Sequence, residues 1–314
     1  MNNSTVTVIG LGTMGGAFAV NLDRAGFTVS GYNRSPIPRD NERSFRFPVG
    51  HDAAVSVLGA SVIVVMLTDA DATKDVLLDP QVLEAIEPDA VLVNMGTIGV
   101  KQTTELASAI NVARPDIVFV DAPVSGSKAP AESGTVTILA SSDADTPETQ
   151  TGNDGGPKAH SVRHTLSPVF DAIGRRTIWL GRTGAGSAMK VVVNTWLVHV
   201  MQGIAETALL ADHLGISPDD LSRTLSGGPL DTPYAAAKLR KIGEADWSTE
   251  MALSLGAKDA RLALSAGSGL NLPITALIAE SWTAAVEDAS SLADRDISSI
   301  YTALASGQPR ATDG

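Results

Sequence analysis

A single lysine lies within an apolar stretch of the second half of the chain, and an asparagine follows it by one helical turn. The segment reads GSAMKVVVNTW over residues 186–196, which places Lys190 and Asn194 four residues apart. On a helix, this spacing puts both side chains on the same face. A buried ammonium is costly without a partner, although a lysine with a buried stem can also extend its tip to water. The asparagine one turn on and the glycine-rich start of the helix favour a functional Lys190 over this alternative.

Three glycines near the N-terminus have the spacing of a nucleotide-binding turn. They lie in VTVIGLGTMGGAFAVNL, between a strand-like run and a helical one. In such a turn the first two glycines permit close backbone approach, the third permits helix–strand packing, and a pyrophosphate lies at the helix N-terminus. A purely structural role is the alternative, but the strand before and the helix after favour a dinucleotide. The cofactor contacts assigned to this turn are Gly10, Leu11, Gly12, Thr13, Met14 and Gly15.

The end of the second strand-like run bears on the choice between NAD and NADP. An NAD-binding unit usually has an acidic residue there, but this chain has Asn33, Arg34 and Ser35. Arg34 can pair with a 2′-phosphate, and Ser35 can add a hydroxyl donor. An ordinary exposed loop arginine is the alternative. The position predicts NADP(H) as the cofactor.

The bulk composition excludes several classes of function. The chain has 314 residues, of which 44% are hydrophobic, enough for two domains. Its net charge of −12 argues against nucleic acid or an anionic membrane as the main partner. The absence of cysteine excludes disulfides and thiolate metal sites, and the histidines lack metal-ligand spacing, so we predict no metal. With no signal peptide or membrane span recognised, we expect a cytoplasmic protein.

The order of the elements predicts the fold class. Short apolar β-rich runs alternate with helical stretches in the first half, which is typical of a doubly wound α/β sheet of Rossmann type. Long helical patterns follow. We therefore predict a Rossmann-type NADP-binding domain over residues 1–182 and an all-α domain over residues 183–314, which begins with an interdomain helix carrying Lys190.

Individual segments are assigned to strands and to one surface loop. Two later strand-like runs, 135–141 and 177–181, are expected to extend the same sheet. The Gly-, Pro- and Asp-rich segment 143–161 is expected to be a surface loop. The strands expected in the main sheet are 5–10, 27–33, 61–67, 90–96 and 117–124.

Four separated motifs occur in a fixed order along nearly the whole chain. They are GLGTMG with NRS, DAPVSGSKAPAESG (121–134), GAGSAMKVVVN (184–194) and GAKDARLAL (256–264). Together they resemble the β-hydroxyacid dehydrogenase family, which includes 3-hydroxyisobutyrate dehydrogenases and glyoxylate/succinic semialdehyde reductases. PVSGSKAPAESG looks closer to the latter branch, and imine reductases are a related branch on a similar architecture.

The resemblance implies a helical C-terminal domain that forms a homodimer, and an active site in the cleft between the two domains. Lys190 then resembles the catalytic lysine and Asn194 its partner. Without the resemblance, Ser125 could be a plain turn serine, and Lys258 with Asp259 a solvated pair. The other assigned positions are Ser125, Gly126, Ser127 and Asp259 for the substrate, and Met66, Leu67, Thr97 and Lys258 for the cofactor.

The chain departs from the family pattern in two segments. The usual DMST reads NMGT here, with Asn94 and Gly96 in place of an acid and a serine. Met251 stands where a phenylalanine is expected, eight residues before the Lys–Asp pair. Both departures bear on the substrate rather than on the fold.

Three functions compete. The first is NADPH-dependent reduction of a small carboxylated aldehyde, or the reverse oxidation of a β-hydroxyacid, with Lys190 as general acid or base. The second is imine reduction, which the ammonium of Lys190 disfavours because an iminium substrate is itself cationic. The third is a non-catalytic NADP-binding protein, which predicts loss of the lysine or of the serine turn, whereas both are present.

Overall fold

The computed structural model describes residues 4–36, 45–145 and 158–306, with side chains described from Val162 onward in the last range. The chain divides into two compact units, residues 1–190 and residues 191–314. The division lies inside one long helix. The boundary at 182/183 expected from the sequence remains a prediction.

The first unit contains a six-stranded parallel sheet in the order β3-β2-β1-β4-β5-β6. The order reverses direction between β1 and β4, and in open α/β sheets ligands bind at this switch point, beyond the carboxyl ends of the strands. This arrangement confirms the Rossmann-type fold. The strands are β1 (Thr5–Ile9), β2 (Thr28–Tyr32), β3 (Val49–Gly50), β4 (Val62–Val65), β5 (Val91–Asn94) and β6 (Val118–Asp121).

Helices cover both faces of this sheet, which explains why its strands read as continuous apolar runs. In β4, Val62 and Val64 pack into one hydrophobic core, while Ile63 and Val65 pack into the other. The helices of the first unit are α1 (Thr13–Arg24), α2 (Ala53–Val57), α3 (Ala70–Leu77), α4 (Pro80–Ala85), α5 (Val100–Ala113), α6 (Lys128–Glu132), α7 (Lys158–Ile173) and the start of α8 (Ala185–His213).

The expected extension of the main sheet is wrong. The runs near 135–141 and 177–181 form a separate three-stranded sheet of β7 (Val124–Ser125), β8 (Val136–Ala140) and β9 (Gly174–Trp179). β7 pairs antiparallel with β8, and β8 pairs parallel with β9. Pro123, which has no N–H to donate to a ladder, separates β6 from β7. Only an isolated bridge between Asp121 and Ser141 joins the two sheets within the described residues.

The loop expected over 143–161 is also wrong at both ends. A 3₁₀ turn spans Asp143–Asp145, and α7 begins at Lys158. Residues 146–157 lie outside the described part of the chain. The Gly- and Pro-rich composition predicted one continuous loop, although its first residues belong to a 3₁₀ turn and its last residues to α7.

Helices are the regular secondary structure of the second unit within its described residues, apart from an isolated bridge between Ala252 and Asp296. Its core surrounds the fully buried Trp282. No helix in the described ranges is long and apolar enough to cross a membrane. The helices that follow α8 are α9 (Pro218–Leu225), α10 (Pro233–Gly243), α11 (Leu253–Ala266), α12 (Pro273–Asp288), α13 (Ser290–Ala293), the 3₁₀ turn Ile297–Ser299 and α14 (Ile300–Ser306).

Candidate active site

The three glycines of the N-terminal turn have different structural roles. Gly10 has a φ of +92°, and a Cβ there would lie 2.4 Å from the carbonyl oxygen of Met66. A Cβ on Gly15 would lie 1.9 Å from the carbonyl oxygen of Gly10. At Gly12, by contrast, a Cβ would meet no described atom within 4 Å. Gly10 and Gly15 are therefore required by packing, while Gly12 leaves open space at the start of α1.

This open space fits a pyrophosphate. Gly12 is the N-cap of α1, and among the described residues no side chain caps the helix and no acidic residue lies in its first turn. A helix N-terminus presents N–H donors and a partial positive charge, which favours an anion. The helix start at Gly12 thus has the geometry and polarity that can bind the pyrophosphate of a dinucleotide.

At the end of β2, the side chain of Asn33 holds the turn together. Its Oδ1 accepts from the backbone N–H of Leu11 at 3.1 Å, and its Nδ2 donates to the carbonyl oxygen of Ser35 at 2.7 Å. Arg34 and Ser35 are exposed. The Nδ1 of His51 lies 2.7 Å from the carbonyl oxygen of Asn33, a contact that the sequence did not indicate because 18 residues separate the two.

The ends of β4 and β5 explain one departure from the family pattern. A Cβ on Gly96 would lie 2.7 Å from the carbonyl oxygen of Leu67, so the close approach of these two segments requires a glycine. Asn94 is fully buried and donates to the carbonyl oxygen of Gly96 at 3.3 Å, while its Oδ1 accepts no hydrogen bond from the described residues. Met66 and Thr97 flank this contact along the chain.

The serine turn connects β7 to α6. Ser125 pairs with Thr137 across the small sheet, and Ser125 and Ser127 are both half-buried. Gly126 between them has a φ of +143°, and a Cβ there would lie 3.0 Å from Cγ1 of Val136. The turn therefore holds two hydroxyls around an exposed glycine backbone, an arrangement that can bind a carboxylate.

A buried carboxylate at the end of β6 contacts the start of α8. Asp121 is fully buried and accepts from the N–H of Ser187 at 2.8 Å and from its hydroxyl at 2.7 Å. The hydroxyl of Ser141 also donates to Asp121, at 3.1 Å. Burial raises the pKa of Asp121 above its ordinary value, and the hydrogen bonds from Ser187 and Ser141 oppose this shift. Lys190 follows Ser187 by three residues and is half-buried.

Asp121, Ser141 and Ser187 were not among the residues predicted from the sequence. One signal was available, because an acidic residue ends the otherwise apolar run IVFVD and begins the motif DAPVSG. Its partners were not detectable, since Ser187 lies 66 residues further along the chain.

In the second unit, the predicted site residues Asn194, Lys258 and Asp259 form one cluster. Asn194 is 3% exposed, and its Nδ2 donates to Oδ2 of Asp259 at 2.5 Å. Nζ of Lys258 lies 3.8 Å from Oδ1 of Asp259. Asp259 is 5% exposed, and its hydrogen bond from Asn194 fixes the two side chains relative to each other, while its role towards the substrate stays a prediction. The described residues contain no group of three or more metal-ligating side chains.

Comparison with known proteins finds family matches along most of this chain. Residues 5–151 match the family described as the NAD binding domain of 6-phosphogluconate dehydrogenase. Residues 184–304 match the family described as NAD-binding of NADP-dependent 3-hydroxyisobutyrate dehydrogenase. Glyoxylate/succinic semialdehyde reductase 1 of Arabidopsis thaliana is 31% identical over 308 residues, which cover 95% of this chain and 98% of the relative.

Other relatives share the architecture. The cytokine-like nuclear factor N-PAC of Homo sapiens is 30% identical over 94% of this chain, which spans half of that longer protein. A 3-hydroxyisobutyrate dehydrogenase from Mycobacterium tuberculosis, solved with L-serine, is 25% identical with a TM-score of 0.78, covering 96% of this chain and 99% of that one. An imine reductase from Myxococcus stipitatus shares the fold at 16% identity and a TM-score of 0.60, with the same coverage.

The sheet order and the glycine turn, together with these matches, define a nicotinamide-dependent oxidoreductase with a small-molecule substrate. The chain belongs to the β-hydroxyacid dehydrogenase family. The resemblance stated from the four sequence motifs is thereby confirmed.

Proposed function

We propose that the protein is an NADPH-dependent reductase of small carboxylated aldehydes, which in reverse oxidises the corresponding β-hydroxyacids. The observation that carries the proposal is the position of Lys190, half-buried one turn after a helix start that is hydrogen-bonded to Asp121. A bound nicotinamide would supply the hydride to the carbonyl carbon. Lys190 would stabilise the developing negative charge on the carbonyl oxygen and then donate its proton to it.

The remaining residues position the substrate. Ser125 and Ser127, with the backbone at Gly126, would bind the substrate carboxylate. Asn194, whose direction is fixed by its hydrogen bond to Asp259, would hold the substrate hydroxyl or the ammonium of Lys190. The relative named as a glyoxylate/succinic semialdehyde reductase supports this substrate class.

The preference for NADP(H) rests on the end of β2. Arg34 and Ser35 are exposed there, and no acidic residue follows Tyr32 up to Pro36. An acid at this place would repel a 2′-phosphate, whereas a guanidinium can bind it with two charge-assisted hydrogen bonds. Met66, Leu67, Thr97 and Lys258 are proposed as further cofactor contacts.

We also propose a homodimer formed through the helical domain. Leu210, Leu214, Ile274 and Leu277 of the second unit are between 58% and 66% exposed, and packing them against a second copy would remove apolar surface from water. Sedimentation velocity tests this directly, because a monomer at micromolar concentration contradicts it. The domain boundary at 182/183 and the cytoplasmic location remain predictions.

Imine reduction is the second candidate, since an imine reductase shares the fold. Lys190 counts against it, because an ammonium beside a cationic iminium is repulsive. The test is NADPH oxidation by the wild-type protein with glyoxylate, succinic semialdehyde, methylmalonate semialdehyde and one cyclic imine. Turnover of a semialdehyde supports the proposal, turnover of the imine alone assigns the protein to the imine reductases, and NADPH binding without any turnover assigns it to the non-catalytic proteins.

A further inference from the structure

The first turn of α8 is attached to the rest of the first unit through a buried polar cluster. Asp121 at the end of β6 accepts from the N–H and the hydroxyl of Ser187. The hydroxyl of Ser141, after β8, donates to Asp121 and accepts from the N–H of Gly186 at 2.9 Å. The hydroxyl of Thr103 on α5 lies 3.0 Å from that of Ser187. Asp121, Ser141 and Thr103 are all fully buried.

These contacts determine both the position and the rotation of the helix start. N–H groups in the first turn of a helix have no partner within the helix, and here the carboxylate of Asp121 and the hydroxyl of Ser141 accept from two of them. A carboxylate at this end is also favoured by the helix dipole. Ser187 and Lys190 are three residues apart, so they are neighbours on the helix surface. Fixing Ser187 therefore fixes the direction in which Lys190 extends.

We propose that Asp121 is a positioning residue for the reaction, which acts by holding the first turn of α8 so that Lys190 points at the carbonyl oxygen. The inference rests on the proposed function, because it requires Lys190 to be the proton donor. Asp121 itself touches neither substrate nor cofactor in this role, since it is fully buried.

The experiment is a double-mutant cycle on kcat between Asp121→Asn and Lys190→Ala. Asparagine keeps the volume of aspartate but removes the charge, which weakens the hydrogen bonds to Ser187 and Ser141. Because a small misplacement of a catalytic group is costly, Asp121→Asn lowers kcat about 10- to 100-fold in the wild-type background. In the Lys190→Ala background the same change alters the residual rate by less than about twofold, since residues that act as a unit are not additive.

Three further readouts separate positioning from stability. The KM for the aldehyde and the Kd for NADPH, measured by its fluorescence, stay near wild type in Asp121→Asn. Asp145→Asn is the matched control, because Asp145 is also buried but its carboxylate pairs with Arg163 of α7. This control lowers the melting temperature and leaves kcat unchanged. If Asp121→Asn does not fold, Ser187→Ala removes one donor to Asp121 and lowers kcat in the same way.

The outcomes distinguish the two proposals. A wild-type kcat in both folded variants, or an equal loss in both backgrounds of the cycle, overturns the role of Asp121 and leaves the proposed function intact. A wild-type kcat in Lys190→Ala overturns the proposed function, and with it any role of Asp121 through Lys190.

Discussion

At the scale of single residues, the charge of Arg34 is what we expect to distinguish NADPH from NADH. Charge-assisted hydrogen bonds contribute about 1.5–3 kcal/mol each, so Arg34→Ala raises the KM for NADPH about 10- to 100-fold. The KM for NADH changes little, because NADH has no 2′-phosphate. Steady-state kinetics with both cofactors measures the difference.

The control for this change is Arg24→Ala, which removes another exposed arginine, at the last turn of α1. It leaves both KM values unchanged. An equal rise in the KM values for NADPH and NADH in Arg34→Ala would show that Arg34 does not bind the 2′-phosphate.

Residues whose roles follow from local spacing could be predicted from the sequence. The strand–turn–helix that the GxGxxG spacing indicated is present, with Gly10 and Gly15 close to neighbouring backbone and open space at Gly12. The hydrogen bonds of Asp121 to Ser187 and of Asn194 to Asp259 could not be predicted, because they join residues 66 and 65 positions apart. Gly96 is a departure from the family pattern that the sequence does not explain. The structure explains it, because the carbonyl oxygen of Leu67 leaves no room for a Cβ at this position.

At the scale of elements, helix α8 depends on close approach to β8 at its first turn. A Cβ on Gly186 would lie 2.2 Å from the backbone oxygen of Leu139, so Gly186→Ala displaces the helix start. Overpacking of this kind costs about 1–3 kcal/mol of unfolding free energy. Because Lys190 lies in the next turn, kcat falls as well. Urea denaturation and NADPH oxidation measure the two effects.

Gly203→Ala is a matched control in the same helix. A Cβ there would meet no other part of the described chain within 4 Å. Alanine has a higher helix propensity than glycine, so Gly203→Ala raises the free energy of unfolding by about 0.5–1 kcal/mol. If both glycine variants lose stability equally, the close approach at Gly186 is not what limits the helix start.

Element type was more predictable than element partnership. The apolar runs that form β8 and β9 were recognised as strands, but their assignment to the main sheet was wrong. Periodicity reports whether a segment is extended and buried, and it carries no information on which strand lies beside it. The proline between β6 and β7 was the one local signal of the change of sheet.

At the scale of the whole molecule, a buried ion pair makes the helical unit sensitive to acid. Nζ of Lys238 lies 2.8 Å from Oδ1 of Asp296, and both residues are nearly inaccessible to water. Burial raises the pKa of Asp296, but the hydrogen bond and charge of Lys238 and the hydrogen bonds from Ser298 outweigh it, so the pKa is lowered. Because the pKa of Asp296 is lowered in the folded state, the ion pair stabilises the fold at pH values above the pKa of an unfolded aspartate, about 3.9. This stability is lost as the pH falls through the lower, folded value.

Asp121 acts in the opposite direction, because its pKa is raised. The cost of burying its charge is present above its folded pKa and is relieved as the pH falls below it. The acid sensitivity of the molecule is therefore expected to come from the second unit.

Asp296→Asn tests this expectation. It leaves Lys238 with the half-exposed carboxylate of Glu250, 3.2 Å away, in place of its buried partner, so the free energy of unfolding at pH 7 falls by at most about 3–5 kcal/mol. The dependence of that free energy on pH between 5 and 3 becomes weaker than in wild type.

Tryptophan fluorescence reports mainly on this unit, which contains three of the four tryptophans: Trp196, Trp247 and Trp282. Asp220→Asn, at an exposed carboxylate with a lowered pKa, should change little, and a pH dependence unaltered by Asp296→Asn would contradict the assignment.

The central claim is that Lys190 donates the proton in carbonyl reduction, and its most direct test is kcat for NADPH-dependent reduction of succinic semialdehyde by Lys190→Ala. Lys101→Ala serves as the control, since that lysine lies on α5 and its side chain is 78% exposed. Loss of a general acid lowers kcat about 10²- to 10⁴-fold, while the control keeps the wild-type rate. A Lys190→Ala variant that retains the wild-type kcat would contradict the account.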